Sequence, residues 1–501
     1  MNAFPFVRRF LADYVRSPVN LFLLVVVPTV FVVVAAGRLA DLARLLGSGG
    51  AVSSVGTATA GWAAGFLAGI AMYFQVSAAR DADRALVVAG LPARRLVAAR
   101  LAAGFGLAAL AGATALVALA VRTGIDNPAR TIAGTAMFAL IYLGIGATIG
   151  ALVRNPVNGS VLVLLVWIVD VMLGPSMGLG SKLVTRFLPT HFVTLWMTDR
   201  PSGHAGRLGD LGIAAAWTLG ALALAFTVVL TTARVRRRRR PRARPGSVVD
   251  QLRAAVRMGW RDWRRNPVLW LLLAAVPTVY ILLAEASTPH RPMAINATAN
   301  GVYGPRLVDL FDVHAGLMAP IAIASLATLA GLFVVLDTGP GDRRAALAGL
   351  RPGVSFTARL AIVALATALA TGVSVGLTAA MFTPRQWGWY LGANILLAAT
   401  YALLGMLLAP VFGRVGGVFV AFLIPFLDIG MGQSPMLHGE PAGWAHYLPG
   451  YGGYRVLIDA TVTGDFDQTR ALLIGLAWLT ALAVAAAVLF RRAVRPATRQ
   501  G

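Results

Sequence analysis

Long apolar runs, separated by shorter polar segments, recur along the whole chain. The runs from Leu21 to Ala36 and from Ala471 to Phe490 are nearly continuous, whereas the strands of a membrane barrel would alternate with a period of two. Roughly 20 apolar residues cross a hydrocarbon core of about 30 Å as a helix, and a helix satisfies its own backbone hydrogen bonds there. The pattern therefore predicts an all-α polytopic membrane protein with about twelve spans. The predicted spans are residues 19–36, 58–79, 96–121, 130–153, 159–175, 210–232, 267–284, 313–336, 354–382, 387–411, 417–437 and 469–490.

The composition agrees with lipid as the main solvent. Of the 501 residues 58% are hydrophobic and 13% charged, a balance unlike that of soluble domains. There is no cysteine, which excludes disulfides and thiolate metal sites. The net charge of +24 comes from arginines in the segments between spans, where an anionic leaflet is the nearer partner. We therefore expect anionic membrane lipids as partners and no nucleic acid.

The two halves of the sequence resemble each other. The segment from Asp13 to Val30 aligns without gaps with that from Asp262 to Val279, with ten of eighteen positions identical. Further matches follow in the same order, among them Ala99-Arg100-Leu101 with Ala358-Arg359-Leu360. This pattern predicts a duplication. Six spans in each copy give both copies the same orientation, that is, two parallel six-helix repeats.

The arginines fix the predicted orientation. With both termini cytoplasmic, roughly two-thirds or more of the basic residues fall on the inner side. The predicted divisions are a first six-helix unit at residues 1–233, an Arg/Pro-rich cytoplasmic linker at 234–247 and a second six-helix unit at 248–501.

A short amphipathic segment precedes the first span of each unit. Basic residues recur there at helical spacing, and apolar residues supply the other side of the helix. Each segment is therefore predicted to lie as a helix in the surface of the inner leaflet. A role as an anchor and a mechanical role both remain open. The basic residues concerned are Arg16, Arg253, Arg257, Arg261 and Arg265.

One charged segment lies between the second and third spans of each unit. The first runs from Arg80-Asp81-Ala82-Asp83-Arg84 to Gly90-Leu91-Pro92-Ala93-Arg94-Arg95, and the second from Asp342-Arg343-Arg344 to Gly349-Leu350-Arg351-Pro352. With these segments and the interfacial helices, the chain resembles the ABC exporter permeases of the second type over essentially its whole length. It looks like a fused version, similar to tandem permeases thought to export polyketide antibiotics. The resemblance implies a bacterial plasma-membrane protein.

The resemblance also implies that the charged segments are loops that touch a separate ATPase subunit. An ordinary hairpin with cytoplasmic arginines is the alternative. The second segment has Gly339-Pro340-Gly341 ahead of it and fewer charges, which puts equal coupling of the two halves in doubt. The candidate coupling residues are Arg80, Asp81, Asp83, Arg84, Arg94, Arg95, Asp342, Arg343, Arg344 and Arg351.

The chain contains no phosphate-binding loop of the form Gly, four residues, Gly-Lys-Ser/Thr; its single lysine, Lys182, follows Ser181. We therefore expect no catalytic residues and no cofactor on this chain, and two copies of a cytoplasmic ATPase that bind ATP and Mg²⁺. The spacing of four histidines, His191, His314, His438 and His446, is not that of a metal site. The rival hypothesis is a proton-coupled secondary transporter of the major facilitator kind. The segment Gly341-Asp342-Arg343-Arg344 resembles the glycine-aspartate-arginine loop of that family.

Two carboxylates lie within predicted spans. Asp170, with Gly174 and Ser176, has the same local pattern as Asp428, with Gly432 and Ser434. Each aspartate lies about 20 Å along its helix, close to a predicted turn of the outer side. The carboxylates are expected either to cap that turn or to face the pathway and attract a cationic substrate, and a proton relay is a third reading.

The substrate pathway is expected between the two halves. The resemblance implies that Tyr73, Trp167 and Phe426 line it. Because its wall is poor in charge, we expect a small amphiphilic substrate such as an antibiotic, a drug or a lipid.

Overall fold

The computed structural model describes residues 7–8, 10, 18–45, 52–177, 183–199, 206–233, 267–299, 302–347, 350–437, 440–441 and 443–494. The chain divides into two compact units, residues 1–238 and 239–501. The predicted linker at 234–247 lies outside the described residues. So do the basic residues of the predicted interfacial helices, Arg16, Arg253, Arg257, Arg261 and Arg265.

The first unit is helical throughout its described part. A π-helical stretch, Phe31–Ala35, joins α1 to α2, and 3₁₀ turns at Pro175–Met177 and Leu183–Phe187 precede the short helix α7. The helices are α1 Pro18–Val30, α2 Ala36–Leu45, α3 Val52–Val88, α4 Ala93–Thr123, α5 Pro128–Leu152, α6 Pro156–Met172, α7 His191–Met197 and α8 Gly206–Thr232.

Local sequence explains where α5 and α6 begin. Each has a proline at its first position, where no intrahelical donor is lost, preceded by an asparagine cap. The side chain of Asn127 accepts a hydrogen bond from the backbone N–H of Arg130 at 3.3 Å. Asn155 accepts from the N–H groups of Val157 and Asn158 at 2.9 and 3.2 Å.

The second unit repeats the helical plan and adds a β-hairpin. Strands β1 Pro292–Ala299 and β2 Val302–Asp309 pair antiparallel, with Pro292 opposite Asp309 and Ala299 opposite Val302. The hairpin connects the first two long helices of this unit. The helices are α9 Pro267–Ser287, α10 Leu310–Leu347, α11 Pro352–Met381, α12 Trp387–Pro425, α13 Tyr451–Val462 and α14 Thr469–Val494.

The predicted all-α polytopic membrane fold is confirmed, with the hairpin as an addition to it. In the described part, 10 helices are long and apolar enough to cross a membrane, and α6 is a shorter apolar helix. The stretch Trp387–Gly432, with 46 residues, would be about 69 Å long at 1.5 Å per residue. It breaks at Gly413, where φ is 61°. With that break, the described part of each unit contains six apolar helical segments; how many cross the membrane stays a prediction.

Backbones approach closely where the long helices cross, because glycine leaves room for them. A Cβ built on Gly146 of α5 would lie 2.0 Å from the carbonyl oxygen of Gly69 in α3. In the second unit a Cβ on Gly405 of α12 would lie 2.0 Å from the carbonyl oxygen of Thr328 in α10. Small residues therefore set the central helix pair of each unit.

Replacing Gly405 with alanine is expected to destabilise the second unit by about 1–3 kcal/mol or more, since the new methyl group overlaps a rigid carbonyl. Gly392 on the same helix is the matched control, because a Cβ there meets nothing within 4 Å. Gly392→Ala should be neutral or slightly stabilising. The measurement is the unfolding midpoint of both variants in detergent. Equal midpoints would contradict backbone contact at Gly405.

Candidate functional site

A buried ion pair joins α3 to α4 near the turn between them. Asp83 lies in the last turns of α3 and Arg100 in the second turn of α4, and a guanidinium nitrogen of Arg100 lies 2.5 Å from the Asp83 carboxylate. Arg100 also donates to the backbone carbonyl of Gln75 at 3.0 Å and lies 4.2 Å from the ring centre of Phe10. We call this pair the first clamp.

The second unit contains the same arrangement between α10 and α11. Arg359 donates through Nη2 to one oxygen of Asp342 at 2.8 Å and through Nε to the other at 3.3 Å. The hydroxyl of Thr338 donates to the same carboxylate at 2.8 Å. Asp342 is 2% exposed and Arg359 6%. In this second clamp, as in the first, the partners are 17 residues apart.

The clamps make each helical hairpin rigid. A buried charge is tolerated when it is paired and hydrogen-bonded, and separating the partners leaves an uncompensated charge. The first clamp therefore holds α3 and α4 together close to the turn at residues 89–92. The charged segments, predicted as loops, are largely helical: α3 extends to Val88 and α10 to Leu347.

Two of the candidate coupling residues are buried. Asp83 and Asp342 are buried in the clamps and do not present a surface to a partner. The remaining candidates of this kind are exposed or half-exposed: Arg80, Asp81, Arg84, Arg94, Arg95, Arg343, Arg344 and Arg351.

Several of these arginines are fixed on neighbouring helix ends. Arg80 donates from Nε to the carbonyl of Gly150 at 2.8 Å and from Nη2 to that of Val153 at 2.9 Å, so it satisfies carbonyls at the end of α5. Arg84 donates to the carbonyl of Thr232 at 3.3 Å. Arg343 donates to the carbonyl of Ala493 at 3.0 Å. The hairpins are thereby attached to the ends of the last helices as well.

A buried carboxylate fastens α6 to the short helix α7. Asp170, 2% exposed, accepts hydrogen bonds from the hydroxyl of Tyr142 at 2.7 Å and from that of Thr190 at 2.8 Å. The backbone N–H of Thr190 donates to it as well, at 3.3 Å. Thr190 is the N-cap of α7, where a negative charge is favourable. We call this group the first lock.

The second lock has the same form with one substitution. Asp428 accepts from the hydroxyl of Tyr401 at 2.6 Å, from the backbone N–H of Gly450 at 2.8 Å and from the side-chain amide of Gln433 at 3.2 Å. Gly450 is the N-cap of α13. A Cβ on Gly450 would lie 2.9 Å from both carboxylate oxygens, which explains glycine where the first unit has Thr190.

The geometry of the locks supports the capping interpretation of Asp170 and Asp428. Both carboxylates point at protein donors. The residues that share their sequence pattern, Gly174, Ser176, Gly432 and Ser434, are buried in the turns that follow. Because successive helices run in opposite directions, locks and clamps lie at opposite ends of each unit.

The residues expected to line a pathway are held inside their own units. The hydroxyl of Tyr73 donates to the carbonyl of Asn155 at 3.0 Å. The indole N–H of Trp167 donates to the carbonyl of Trp62 at 2.9 Å. Phe426 is half-buried at the start of the π-helical stretch Phe426–Gly432.

Two further aspartates sit at the same end as the locks, outside the spans. Asp199 lies 2.5 Å from Arg130 and 2.8 Å from Arg207, and its hydrogen bond with Arg130 is the main reason that the pKa of Asp199 is lowered. Asp459 is buried and accepts from the hydroxyl of Thr463 at 2.9 Å. Burial is the main reason that its pKa is raised.

Sequence reasoning missed the partners of the carboxylates. Arg100 and Arg359 were visible as matching positions of the two halves, and the same internal alignment relates Tyr142 to Tyr401. The recurrence of these residues in both halves was the available signal, but it did not show which side chains they contact. Among the described residues no group of three or more His, Cys, Asp or Glu side chains could hold a metal ion.

The helices and paired charges define a multi-pass membrane protein with a stiff helical hairpin in each unit. Residues 62–235, which lie in the first unit, match the family model described as ABC-2 family transporter protein. The match supports a transmembrane permease of an ABC transporter, a class that works with a separate ATPase subunit. None of the curated proteins compared with the chain matches it. The family match does not favour the rival secondary transporter.

Each clamp can be tested by removing one charge and then both. Asp342→Leu or Arg359→Leu alone should cost roughly 3–5 kcal/mol, because the remaining charge stays buried without its partner. The double variant should recover much of that loss. The free energy of unfolding is measured by denaturant titration in mixed micelles. Simple additivity of the two single losses would show that the charges are not coupled.

The locks are tested by removing one hydroxyl. Tyr142→Phe and Tyr401→Phe should each cost about 1.5–3 kcal/mol, the value of a hydrogen bond to a charged group. Hydrogen exchange should accelerate in α7 for the first variant and in α13 for the second. Tyr447→Phe is the control, since Tyr447 is 80% exposed. Unchanged exchange in α7 and α13 would argue against the locks as fasteners.

Proposed function

We propose that the chain forms the membrane part of an ATP-driven exporter in a bacterial plasma membrane. Its two units would arise by duplication, and the substrate pathway would run between them. The observation that carries the proposal is the clamped hairpin, which occurs at the corresponding place in each unit. A stiff hairpin that is fastened to two further helices can transmit a movement from a soluble partner to the spans.

The recurrence of the hairpin supports two ATPase copies, one beneath each unit. The exposed arginines at the turns, Arg94 and Arg95 in the first unit and Arg351 in the second, are the groups that would meet them. The two hairpins differ beside the clamps, since Asp81 lies 3.6 Å from Arg84 while Pro340 precedes the second clamp. This difference supports unequal coupling of the halves.

The contacts within the locks indicate which class of substrate the permease would carry. Asp170 and Asp428 are occupied by protein donors, so they do not offer a free charge for an ionic compound or a proton relay. An apolar wall suits a small amphiphilic compound, such as an antibiotic, a drug or a lipid, better than an ion. Rocking of two stiff units is the motion that such fastened helices permit.

The test is a pull-down of the tagged chain from mild detergent, with ATPase assay of the complex. A nucleotide-binding subunit should be retained at two copies per chain. The charge reversals Arg95→Glu and Arg351→Glu should each weaken its binding, because both side chains are exposed at the turns. These arginines are cleaner probes than Asp83 and Asp342, whose substitution disturbs the clamps.

Arg306→Glu is the matched control, since Arg306 is exposed on β2, at the opposite end of the second unit. It should leave ATPase binding unchanged. Transport in proteoliposomes should require ATP. Purification without an ATPase, combined with transport driven by a pH gradient alone, would overturn the exporter and reinstate a secondary transporter.

A further inference from the structure

A groove of 520 Å³ lies in the second unit between α10, α12 and α14. This volume is within the range of ligand pockets, roughly 300–1,000 Å³. Its wall is apolar over most of its length. The side chains that form this wall include Val335, Leu336, Met406, Pro410, Leu489 and Phe490.

The mouth of the groove is basic. Arg343 and Arg492 line it, and both are exposed. The hydrogen bond from Nε of Arg343 to the carbonyl of Ala493 holds this guanidinium beside α14. None of the described residues that line the groove is acidic. An apolar trough that ends at two guanidinium groups complements an acidic head on an apolar tail.

Neighbouring carboxylates are engaged elsewhere. Asp337, on the same helix as Arg343, lies 2.7 Å from Arg414. Asp342 belongs to the second clamp with Arg359. The two arginines at the mouth are thus not neutralised by these adjacent acids.

The corresponding place in the first unit is different. Arg84 contacts the carbonyl of Thr232 as Arg343 contacts that of Ala493, which aligns the two places. There Asp81 lies 3.6 Å from Arg84, and Thr231 stands where the second unit has Arg492. Among the residues that the structure describes, the paired basic groups therefore occur in the second unit.

We propose that this groove binds one phospholipid with an anionic headgroup. The phosphate lies between Arg343 and Arg492, since guanidinium groups bind phosphate oxygens through charge-assisted hydrogen bonds. An acyl chain follows the apolar wall into the membrane. The choice of the inner leaflet rests on the proposed orientation, which places this end of the unit at the cytoplasm, where anionic lipids attract basic residues.

The binding test uses the full chain purified in detergent, without any ATPase, and fluorescent phosphatidylglycerol or phosphatidylcholine as probes. The chain should prefer phosphatidylglycerol. Each of Arg343→Gln and Arg492→Gln should reduce that preference about fivefold, and the double variant roughly 25-fold. Arg491→Gln is the control, because Arg491 is an exposed neighbour of Arg492 that does not line the groove. An equal effect of Arg491→Gln would overturn the site in favour of general surface charge.

A second pair of variants tests the apolar wall. Gly339 lines the groove, and a Cβ on it meets nothing within 4 Å, so Gly339→Leu should fill the groove while the fold is kept. Gly341 has the same free space but does not line it. Gly339→Leu should weaken binding of both lipids, and Gly341→Leu should not. Unfolding midpoints equal to that of the unchanged chain verify that both variants fold.

Competition decides whether a lipid or a free phosphate is the ligand. Glycerol phosphate, which has the head but no tail, should displace the fluorescent lipid far less well than unlabelled phosphatidylglycerol. Equal displacement, or no effect of Gly339→Leu, would overturn the lipid assignment. Because the ATPase is absent, these results do not depend on whether the exporter assembles. Loss of the ATPase in the pull-down would defeat the proposed function and leave this site standing.

Discussion

Polar groups inside a membrane have no water to bind, so each must find its partner within the protein. The clamps and locks are the response of this chain to that constraint. Asp83 and Asp342 meet arginines, whereas Asp170 and Asp428 meet tyrosine hydroxyls and backbone N–H groups. An ion pair suits a helix end close to the headgroups, while neutral donors suit the deeper position. Each buried carboxylate thereby fixes two helices that sequence alone leaves independent.

The contacts of Asp170 and Asp428 convert a weak point of the fold into a fixed one. The helix that carries each aspartate ends shortly after it. The first backbone N–H groups of the next helices, α7 and α13, have no intrahelical acceptor. The carboxylate serves as the cap of the next helix across a gap of about 20 residues. In the first unit both the hydroxyl and the backbone N–H of Thr190 donate to the carboxylate. In the second unit the corresponding residue is Gly450, which donates through its backbone N–H.

Much of the fold could be read from the sequence, since hydrophobic length and helix-starting signals are local. Asn127-Pro128 and Asn155-Pro156 mark helix starts directly. The clamps could not be derived in this way, because a carboxylate near the end of an apolar run has the same sequence pattern whether it faces a partner protein or a buried arginine. The β-hairpin at residues 292–309 was not predicted for a similar reason. Its strands stabilise each other, and neither has a distinctive sequence pattern alone.

Fastening at both ends has a consequence for motion. The clamp joins the second and third long helices of a unit. Arg84 and Arg343 tie the hairpins to the last helices, and the locks join the fifth helical segment to the short helix that follows it. A force applied at the turn of a hairpin is then carried by helices whose charges cannot part without a cost of several kcal/mol. Such a unit moves as a body before it bends. Residues 62–235 match a family of ABC-2 transporter proteins, and stiffness between the turn and the spans is the physical property by which a permease of that kind would respond to an ATPase.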